Sequence, residues 1–173
     1  MRCIFCEELA KGKELLYEDN DVAAVINPKP AIPGHILIFP KKHFQIIEQV
    51  PDKIIGKLFS TANKLSKVVF ETLHAHGTNI ILQNGGAAGQ IVPHVCLHVI
   101  PRFENDGLSF QWKPKQLSEE EMSTIELKIK QCTENIVFEK EKEKPIEIKE
   151  KKEEIKAEEG KEDYLLEHIE RIP

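Results

Sequence analysis

Two histidines and a cysteine alternate with aliphatic residues in the stretch 89–102, and these side chains are the ones best suited to do chemistry. His94, Cys96 and His98 are each separated by a single aliphatic residue. A spacing of two is typical of a β-strand, so the three polar side chains are predicted to share one face while the aliphatic residues pack on a core. Such a face can bind an anion, hold a metal or transfer a proton.

A run of small residues, 84–90, leads directly into this strand. Its glycines would let the backbone approach a bulky anion, and its N–H groups could donate to phosphate oxygens. It is not a Walker loop, because the Lys-Ser/Thr pair and the following helix are missing. Gln90, His94 and His98 could add donors to the same anion. A nucleophile at Cys96 would then face the phosphorus, so loop and strand together favour nucleotidyl transfer through a covalent intermediate.

Length and composition limit the possible classes of protein. The chain has 173 residues, 40% of them hydrophobic, and a formal net charge of −5. This suits one domain with its own core and gives no reason to expect nucleic-acid binding. No apolar run is long enough to span a membrane, and the first residues lack the apolar segment of a secretory signal. Four cysteines in such a chain favour metal ligation, catalysis or burial over disulfides, and we expect a reducing, cytoplasmic location.

The elements around the His/Cys strand follow from periodicity and turn residues. Pro93 and Pro101 bracket that strand and should limit its ladder. A long amphipathic helix is predicted from Pro51 to His76, with Gly77 as its left-handed stop. A second helix should begin at a capping box at Ser118 and run to about Val137, and it should bury Cys132. Four further strands are predicted over residues 14–18, 22–27, 35–39 and 79–83.

The C-terminal part of the chain has a different composition. Residues 139–162 are almost entirely Lys and Glu, which predicts a linker or a solvated single helix after a domain of residues 1–138. Residues 163–173 regain apolar side chains. They form either a short tip that docks on a protein partner or its own domain, or a frayed tail.

A pair of cysteines near the start of the chain, Cys3 and Cys6, has the spacing of a metal-binding C-x-x-C motif. Alone it supplies half of a tetrahedral zinc site. A redox role would require a thioredoxin-like context, which a pair so close to the start of the chain lacks.

These motifs together resemble the histidine triad (HIT) superfamily, whose signature alternates histidines with apolar residues. The resemblance extends over residues 1–138 and includes Pro33-Gly34-His35, Pro40-Lys-Lys-His43, the N-G-x-x-A-G-Q loop and Pro101-Arg102. It is similar both to the fragile-histidine-triad branch and to zinc-binding bacterial and archaeal members. The resemblance implies an α+β fold with a five-stranded antiparallel sheet, one long helix and a C-terminal helix, with the sheet continued across a homodimer.

The resemblance also implies a function and a set of binding residues. Family members bind purine nucleotides and hydrolyse or transfer nucleoside monophosphates from dinucleoside polyphosphates or nucleoside phosphoramidates. By position, Asn27 should hold the ribose. The phosphate site should be lined by Gln90, His98 and the loop from Asn84 to Gly89, and the base by Ile26, Phe5 and Ile38. His35 should either lie near the nucleotide or bond the backbone at the start of its strand.

Zinc is the cofactor that the resemblance implies. Members with the cysteine pair bind it through both cysteines, the histidine of the Pro-Lys-x-His segment and the first histidine of the triad. Here these ligands are Cys3, Cys6, His43 and His94. Four protein ligands leave no open position, so such a zinc is structural.

One position departs from the family pattern: the middle histidine, the family's nucleophile, is Cys96 here. The substitution could have been introduced to disable an enzyme, could belong to a natural member that binds without turnover, or could supply a thiolate nucleophile. The sulfur would sit roughly 2 Å short of the usual attacking nitrogen, a misplacement that can cost about 100-fold. We therefore expect impaired turnover with binding retained, and a non-catalytic nucleotide-binding or interaction protein as the alternative.

Overall fold

The computed structural model describes residues 3–12, 15–133 and 136. The α+β fold with a five-stranded antiparallel sheet is confirmed, and the sheet has the strand order β1-β2-β3-β5-β4. Short 3-10 turns lie at Ile47–Gln49 and Gly86–Ala88. The elements in chain order are α1 (Ile4–Lys11), β1 (Leu15–Glu18), β2 (Val22–Ile26), β3 (Ile36–Pro40), α2 (Asp52–Leu73), β4 (Gly77–Leu82), β5 (Leu97–Arg102) and α3 (Glu119–Thr133).

The strand that carries the His/Cys pattern differs from its prediction at both ends. β5 begins only at Leu97, so the stretch before it lies outside the ladder, and the N–H of Val95 donates to the carbonyl of Phe44 instead. At the other end β5 continues through Pro101, which was expected to limit it. This is tolerated because pairing with β3 ends at Val99, so Pro101 lies beside β4 alone.

The predicted alternation of faces is nevertheless present. Val95, Leu97 and Val99 are buried in the core that α2 covers, together with Leu58 and other apolar residues of that helix. Cys96 lies on the opposite side, in a second cluster formed by α1, β2 and β3. The sheet therefore separates a purely structural face from a face that carries reactive groups.

The helices also depart from the sequence predictions in their details. No element was predicted for residues 4–11, which form α1. α2 ends at Leu73, and the left-handed residue is His74 (φ 54°), not Gly77. Gly77 instead opens β4, where it pairs with Arg102. The chain must already be extended at this point, so the left-handed turn falls three residues earlier.

The capping box of α3 is confirmed, since the N–H of Glu121 lies 3.2 Å from Ser118 Oγ and the N–H of Ser118 lies 2.9 Å from a Glu121 carboxylate oxygen. The prediction that Cys132 is buried is wrong: its side chain is exposed. The predictions for residues 139–162 and 163–173 lie outside the described residues. Within the described part of the chain, no helix combines the length and the apolar character that crossing a membrane requires.

Candidate functional site: a metal cluster beside a nucleotide-sized cavity

Four ligand-type side chains converge where α1, the loop after β3 and the segment before β5 meet. The ligand atoms of Cys3, Cys6, His43 and His94 all lie within 4.8 Å of one another. The sulfurs of Cys3 and Cys6 lie 3.3 Å and 3.7 Å from His94 Nδ1, and the Cys6 sulfur lies 3.5 Å from His43 Nδ1. The sulfur–nitrogen edge of a tetrahedral zinc site is about 3.6 Å, from Zn–S and Zn–N bonds of about 2.3 and 2.1 Å. The donor set and its spacing therefore fit zinc.

The protonation state of His94 also suits a metal ligand. Its ring is 1% exposed, and Nε2 lies 2.9 Å from the carbonyl oxygen of Pro40, to which it must donate. The proton is thereby held on Nε2, and the lone pair of Nδ1 faces the two sulfurs. Burial lowers the pKa of His94, which keeps the ring neutral as metal ligation requires.

α1 contacts the rest of the domain at this cluster and through apolar packing on the sheet. It has eight residues, and its N-cap, Cys3, makes no side-chain capping hydrogen bond. So short a helix is marginal by itself, so it depends on tertiary contacts. Phe5 supplies one such contact by stacking on Phe39 at 4.6 Å between ring centroids and meeting the edge of His94 at 5.6 Å.

A cavity of about 640 Å³ lies next to the cluster, on the reactive face of the sheet. Its apolar lining comes from α1, β2, β3 and the loops after β2 and before β5, and most of its polar lining comes from residues 83–98. A volume of this size fits a small-molecule ligand such as a nucleotide. The lining residues are Ile4, Phe5, Glu8, Val25, Ile26, Asn27, Pro28, Lys29, Leu37, Gln83, Gln90, Ile91, Val92, His94, Cys96 and His98.

The alternating side chains of the sequence pattern do meet in this cavity. His94, Cys96 and His98 all line it, although the first two precede β5. Cys96 is 8% exposed, and its thiol lies 3.6 Å from the carbonyl oxygen of Leu97. Burial raises the pKa of Cys96 to about 12, so the thiol is protonated at neutral pH.

His98 is hydrogen-bonded to His35, for which the sequence analysis left two alternative roles. His35 is buried, and its Nδ1 accepts from the N–H of Ala31 at 3.1 Å and lies 3.2 Å from the amide nitrogen of Asn27. A backbone N–H can only donate, so the proton of neutral His35 is on Nε2. That nitrogen lies 3.0 Å from His98 Nδ1 and donates to it. His98 must therefore carry its own proton on Nε2.

Both histidines of this pair are held neutral. Burial, and then the proximity of His98, lower the pKa of His35 to about 4, and burial lowers the pKa of His98. A neutral His98 with a proton on Nε2 is a hydrogen-bond donor toward any anionic oxygen near that atom. Of the two alternatives for His35, the hydrogen bond to backbone is present, because its ring accepts from the N–H of Ala31. His35 also contacts the cavity residue His98, and its position near a nucleotide stays a prediction.

Asn27 lies at the rim of the cavity with both side-chain groups engaged. Its amide nitrogen contacts His35, and its side-chain oxygen accepts from the N–H of Lys29 at 2.9 Å. This orients the amide rigidly, which suits a residue expected to hold ribose hydroxyls. That role stays a prediction.

The glycine loop is built around Gln90. The side-chain oxygen of Gln90 accepts from the N–H of Gly85 at 2.7 Å, and its amide nitrogen donates to the carbonyls of Gln45 and Val92. Gly89 has a φ of 92°, which favours glycine, and an added Cβ would lie 2.7 Å from the Gln83 amide. Gln90 lines the cavity but fixes the loop as well.

Three residues expected at the nucleotide are not brought to the cavity. Asn84 turns away, accepting from the N–H of Ile47 at 3.0 Å and donating to Glu48 at 2.8 Å. Gly89 is also absent from the lining. Ile38 is buried on the α2 side of the sheet, and Leu37 lines the cavity instead.

Sequence reasoning named Phe5 but missed the other α1 residues of the lining, Ile4 and Glu8, and it chose the wrong face of β3. The segment 35–39 is apolar after its first residue, so the periodicity of two leaves both faces equal. The available signal was the position of His35, which lies two residues before Leu37 and so on the same face of the strand. A polar group there marks the reactive face, and it places Leu37 on the same side.

Comparison with known proteins connects this geometry to a family. The HIT domain family model matches residues 9–105. An uncharacterised HIT-like protein of Methanocaldococcus jannaschii is 38% identical over 108 residues, 61% of this chain and 82% of that protein. A bis(5'-adenosyl)-triphosphatase of Dictyostelium discoideum is 30% identical over 129 residues, 69% of this chain and 87% of that protein. The adenylylsulfatase HINT3 of Arabidopsis thaliana is 32% identical, and only 55% of its length is covered.

Solved structures agree in fold. A HIT family protein from Bacillus subtilis superposes with a TM-score of 0.70 at 27% identity, covering 80% of this chain and 99% of that one. A Zn-bound histidine triad family protein from Mycobacterium smegmatis gives a TM-score of 0.59 at 30% identity, covering 78% of this chain and 97% of that one. The HIT domain family model matches residues 9–105, which are more than half of the 173 residues of this chain, so the chain belongs to the HIT family.

Proposed function

We propose that the chain binds a purine nucleotide in the cavity beside His98 and hydrolyses or transfers its nucleoside monophosphate, with turnover impaired at Cys96. The observation that carries this is a 640 Å³ cavity into which a HIT-family chain directs His94, Cys96 and His98 together. Relatives named as a bis(5'-adenosyl)-triphosphatase and an adenylylsulfatase support the same class of substrate, a nucleoside monophosphate joined to a leaving group.

The lining of the cavity has the chemistry that a nucleotide needs. Apolar side chains such as Ile26 and Leu37 suit the faces of a purine, and the amide of Asn27 suits a ribose. The proton on His98 Nε2 and the side chain of Gln90 suit phosphate oxygens or a leaving group.

Impaired turnover follows from the position and length of Cys96. In the family the attacking atom belongs to an imidazole, and a thiol at the same backbone position falls about 2 Å short, which can cost about 100-fold or more. The sulfur is also buried, next to a carbonyl oxygen rather than a cation. Its protonated state agrees with this.

We further propose that zinc is held by Cys3, Cys6, His43 and His94. When bound there, it supplies structural cross-linking rather than Lewis-acid chemistry, since the four protein ligands leave no open position. His94 would then face zinc through Nδ1 and the Pro40 carbonyl through Nε2, which fixes the path of the chain toward Cys96.

The alternative is a nucleotide-binding module without turnover, and the buried thiol favours it. The discriminating experiment compares this chain with Cys96→His in the hydrolysis of a fluorogenic adenosine phosphoramidate and a dinucleoside polyphosphate. We expect the histidine to raise kcat by about 100-fold or more, with KM changed little. Cys132→His, at an exposed cysteine, serves as the control and should leave the rate unchanged.

The same experiment contains the outcomes that would contradict the proposal. Hydrolysis by the native chain that Cys96→Ser abolishes, with a nucleotidyl adduct on Cys96 in the intact mass, would establish a thiolate mechanism. Absence of activity from both the native and histidine chains, with nucleotide still bound, would establish the non-catalytic module. Absence of nucleotide binding would reject the function itself.

A homodimer is also proposed, with the sheet continued through a strand edge. β4 is one of the two outer strands of the sheet, and its Ile80 is 40% exposed. An exposed apolar edge strand is a common site of pairing between chains. Light scattering on a sizing column should give twice the chain mass. The proposed partner for residues 163–173 and the cytoplasmic location are tested by co-purification and by fractionation of cells.

A further inference from the structure

The wall that α1 contributes to the cavity carries one charged side chain, that of Glu8. α1 contributes Ile4, Phe5 and Glu8 to the lining. Among the described lining residues, Glu8 is the only carboxylate, and Lys29 is the only lysine or arginine. A half-buried acid in a cavity expected to receive an anionic nucleotide must lie away from the phosphate, or it would repel it.

The apolar residues next to Glu8 indicate which part of a nucleotide lies there. Ile4 is 48% exposed and Ile26 is 51% exposed, although isoleucine is among the most often buried residues. Both line the cavity, and so does Phe5, which is buried in the first turn of α1. Exposed aliphatic side chains on a cavity wall suit the flat face of a nucleobase, which is apolar above and below and polar at its edge.

Glu8 is placed for the edge of that base. It lies four residues after Ile4, so the two side chains share one face of α1, one turn apart. A ring that packs on Ile4 therefore presents its edge toward the next turn of the helix. The present partner of Glu8 is Lys11 at 2.6 Å, a pair with 39% and 60% exposed side chains. Exposed pairs of this kind contribute little to stability, so the carboxylate can exchange this partner for a ligand.

We propose that Glu8 reads the base edge and makes this site select guanine over adenine. The inference rests on the proposed nucleotide-binding function. A carboxylate offers two acceptor oxygens and no donor. Guanine presents two adjacent donors, N1–H and the 2-amino group, which match both oxygens. Adenine presents one donor, its 6-amino group, beside the acceptor N1, which a carboxylate oxygen repels. Hypoxanthine, with N1–H and no amino group, lies between them.

Lys29, the lysine of the cavity lining, should act on both nucleotides alike and is therefore a useful comparison with Glu8. It follows Asn27 by two residues, and its backbone N–H donates to the side-chain oxygen of Asn27, so it belongs to the side of the cavity expected to hold the ribose. As a cation it attracts the phosphate of any nucleotide and cannot distinguish the two purines. Its removal should weaken both nucleotides by the same factor.

The test measures the affinities of GMP, IMP and AMP for the full chain in zinc-containing buffer by isothermal titration calorimetry. GMP should bind about tenfold more tightly than AMP, the ratio that about 1.4 kcal/mol produces, with IMP between them. Glu8→Gln should reduce the ratio to about twofold or less, because an amide offers one acceptor and one donor. Glu7→Gln, on the same helix but outside the lining, should keep the tenfold ratio, and so should Lys29→Ala.

Two results would overturn the assignment. If the native chain binds GMP and AMP equally, or if Glu8→Gln keeps the native ratio, Glu8 does not read the base, while the proposed nucleotide site stands. If no nucleotide binds at millimolar concentration, the proposed function and this inference fall together. A circular dichroism melt of each variant verifies that altered ratios do not come from loss of the fold.

Discussion

The two ends of the segment 94–98 have different characters although they are only four residues apart. At His94 the ligand set is complete: two sulfurs and two imidazoles converge within 4.8 Å, and the ring tautomer is fixed by a carbonyl. Cys96 and His98 both line the cavity, and Cys96, at the position expected to supply the nucleophile, is a buried thiol. Under the proposed function, the first end has every ligand that a structural zinc needs, whereas the second end lacks the imidazole expected to attack.

If the proposed function holds, this difference implies that nucleotide binding and the chemical step depend on separate residues. The metal end positions α1 and the segment before β5, and therefore the cavity wall. The tautomer of His98 is set from the other side, through His35. Neither arrangement involves a hydrogen bond to the side chain at position 96, so we expect a substitution there to change turnover more than nucleotide binding.

The largest effect should come from removing the metal end. Cys6→Ser, or chelation of the native chain, should lower zinc from about one to zero per chain and destabilise the domain by several kcal/mol. Because Ile4, Phe5 and Glu8 line the cavity from the helix that Cys3 begins, nucleotide affinity should fall as well. Elemental analysis, thermal melts and calorimetry with and without chelator measure these three changes.

Hydrogen exchange provides the sharper readout for the same change. Amides of residues 4–11 should lose protection on chelation, whereas those of β4 should not. Cys132→Ser is the matched control and should retain zinc, because its side chain is exposed and outside the cluster. Unchanged protection of residues 4–11 in the metal-free chain would show that packing of Phe5 alone holds α1, and the contrast between the two ends would then be lost.

A smaller effect is expected at the histidine pair, and it depends on pH. The pKa of His35 falls from its ordinary value of 6.5 to about 4 in the folded chain. Between pH 6.5 and 4, His35 is therefore protonated in the unfolded chain and neutral in the folded chain. Stability should therefore be full above about pH 6.5 and decrease by roughly 2–3 kcal/mol as pH falls toward 4. Urea unfolding at pH 7.5 and 5.0 measures this decrease.

His35→Gln should flatten that part of the profile, because glutamine does not titrate. The metal cluster also loses stability in acid, but it does so equally in both chains, so the difference between them isolates His35. His74→Gln, at the exposed end of α2, should keep the native slope. An identical slope in all three chains would show that His35 is protonated as easily in the folded state as in the unfolded state.

The sequence predicted the parts of this molecule that are set by local pattern. The alternation of 94–99 identified the residues of the reactive face, although the ladder begins only at Leu97. The capping box at Ser118 identified the start of α3. In both cases the signal is the spacing of neighbouring residues, which short-range geometry translates directly into structure.

The parts that could not be predicted depend on contacts between distant segments. Asn84 was expected at the phosphate because it begins the glycine loop, but Ile47 and Glu48 engage its side chain. Ile38 and Leu37 are equivalent in pattern, and only packing against α2 assigns the first of them to the core. Cys132 was expected to be buried, and only its surroundings in the fold show that it is exposed.

The smallest effect is expected in the glycine loop, whose shape depends on one side chain. Gln90→Ala removes the acceptor of the Gly85 N–H and a donor to two carbonyls. We expect about 1–2 kcal/mol lower stability and a few-fold weaker nucleotide binding, because a half-buried amide loses its partner and the loop loses its anchor. Gln45→Ala is the matched control, since the carbonyl that Gln90 uses is retained. If the two variants behave alike in urea unfolding and calorimetry, the backbone turns alone hold the loop, and the Gln90 side chain contributes nothing to its shape.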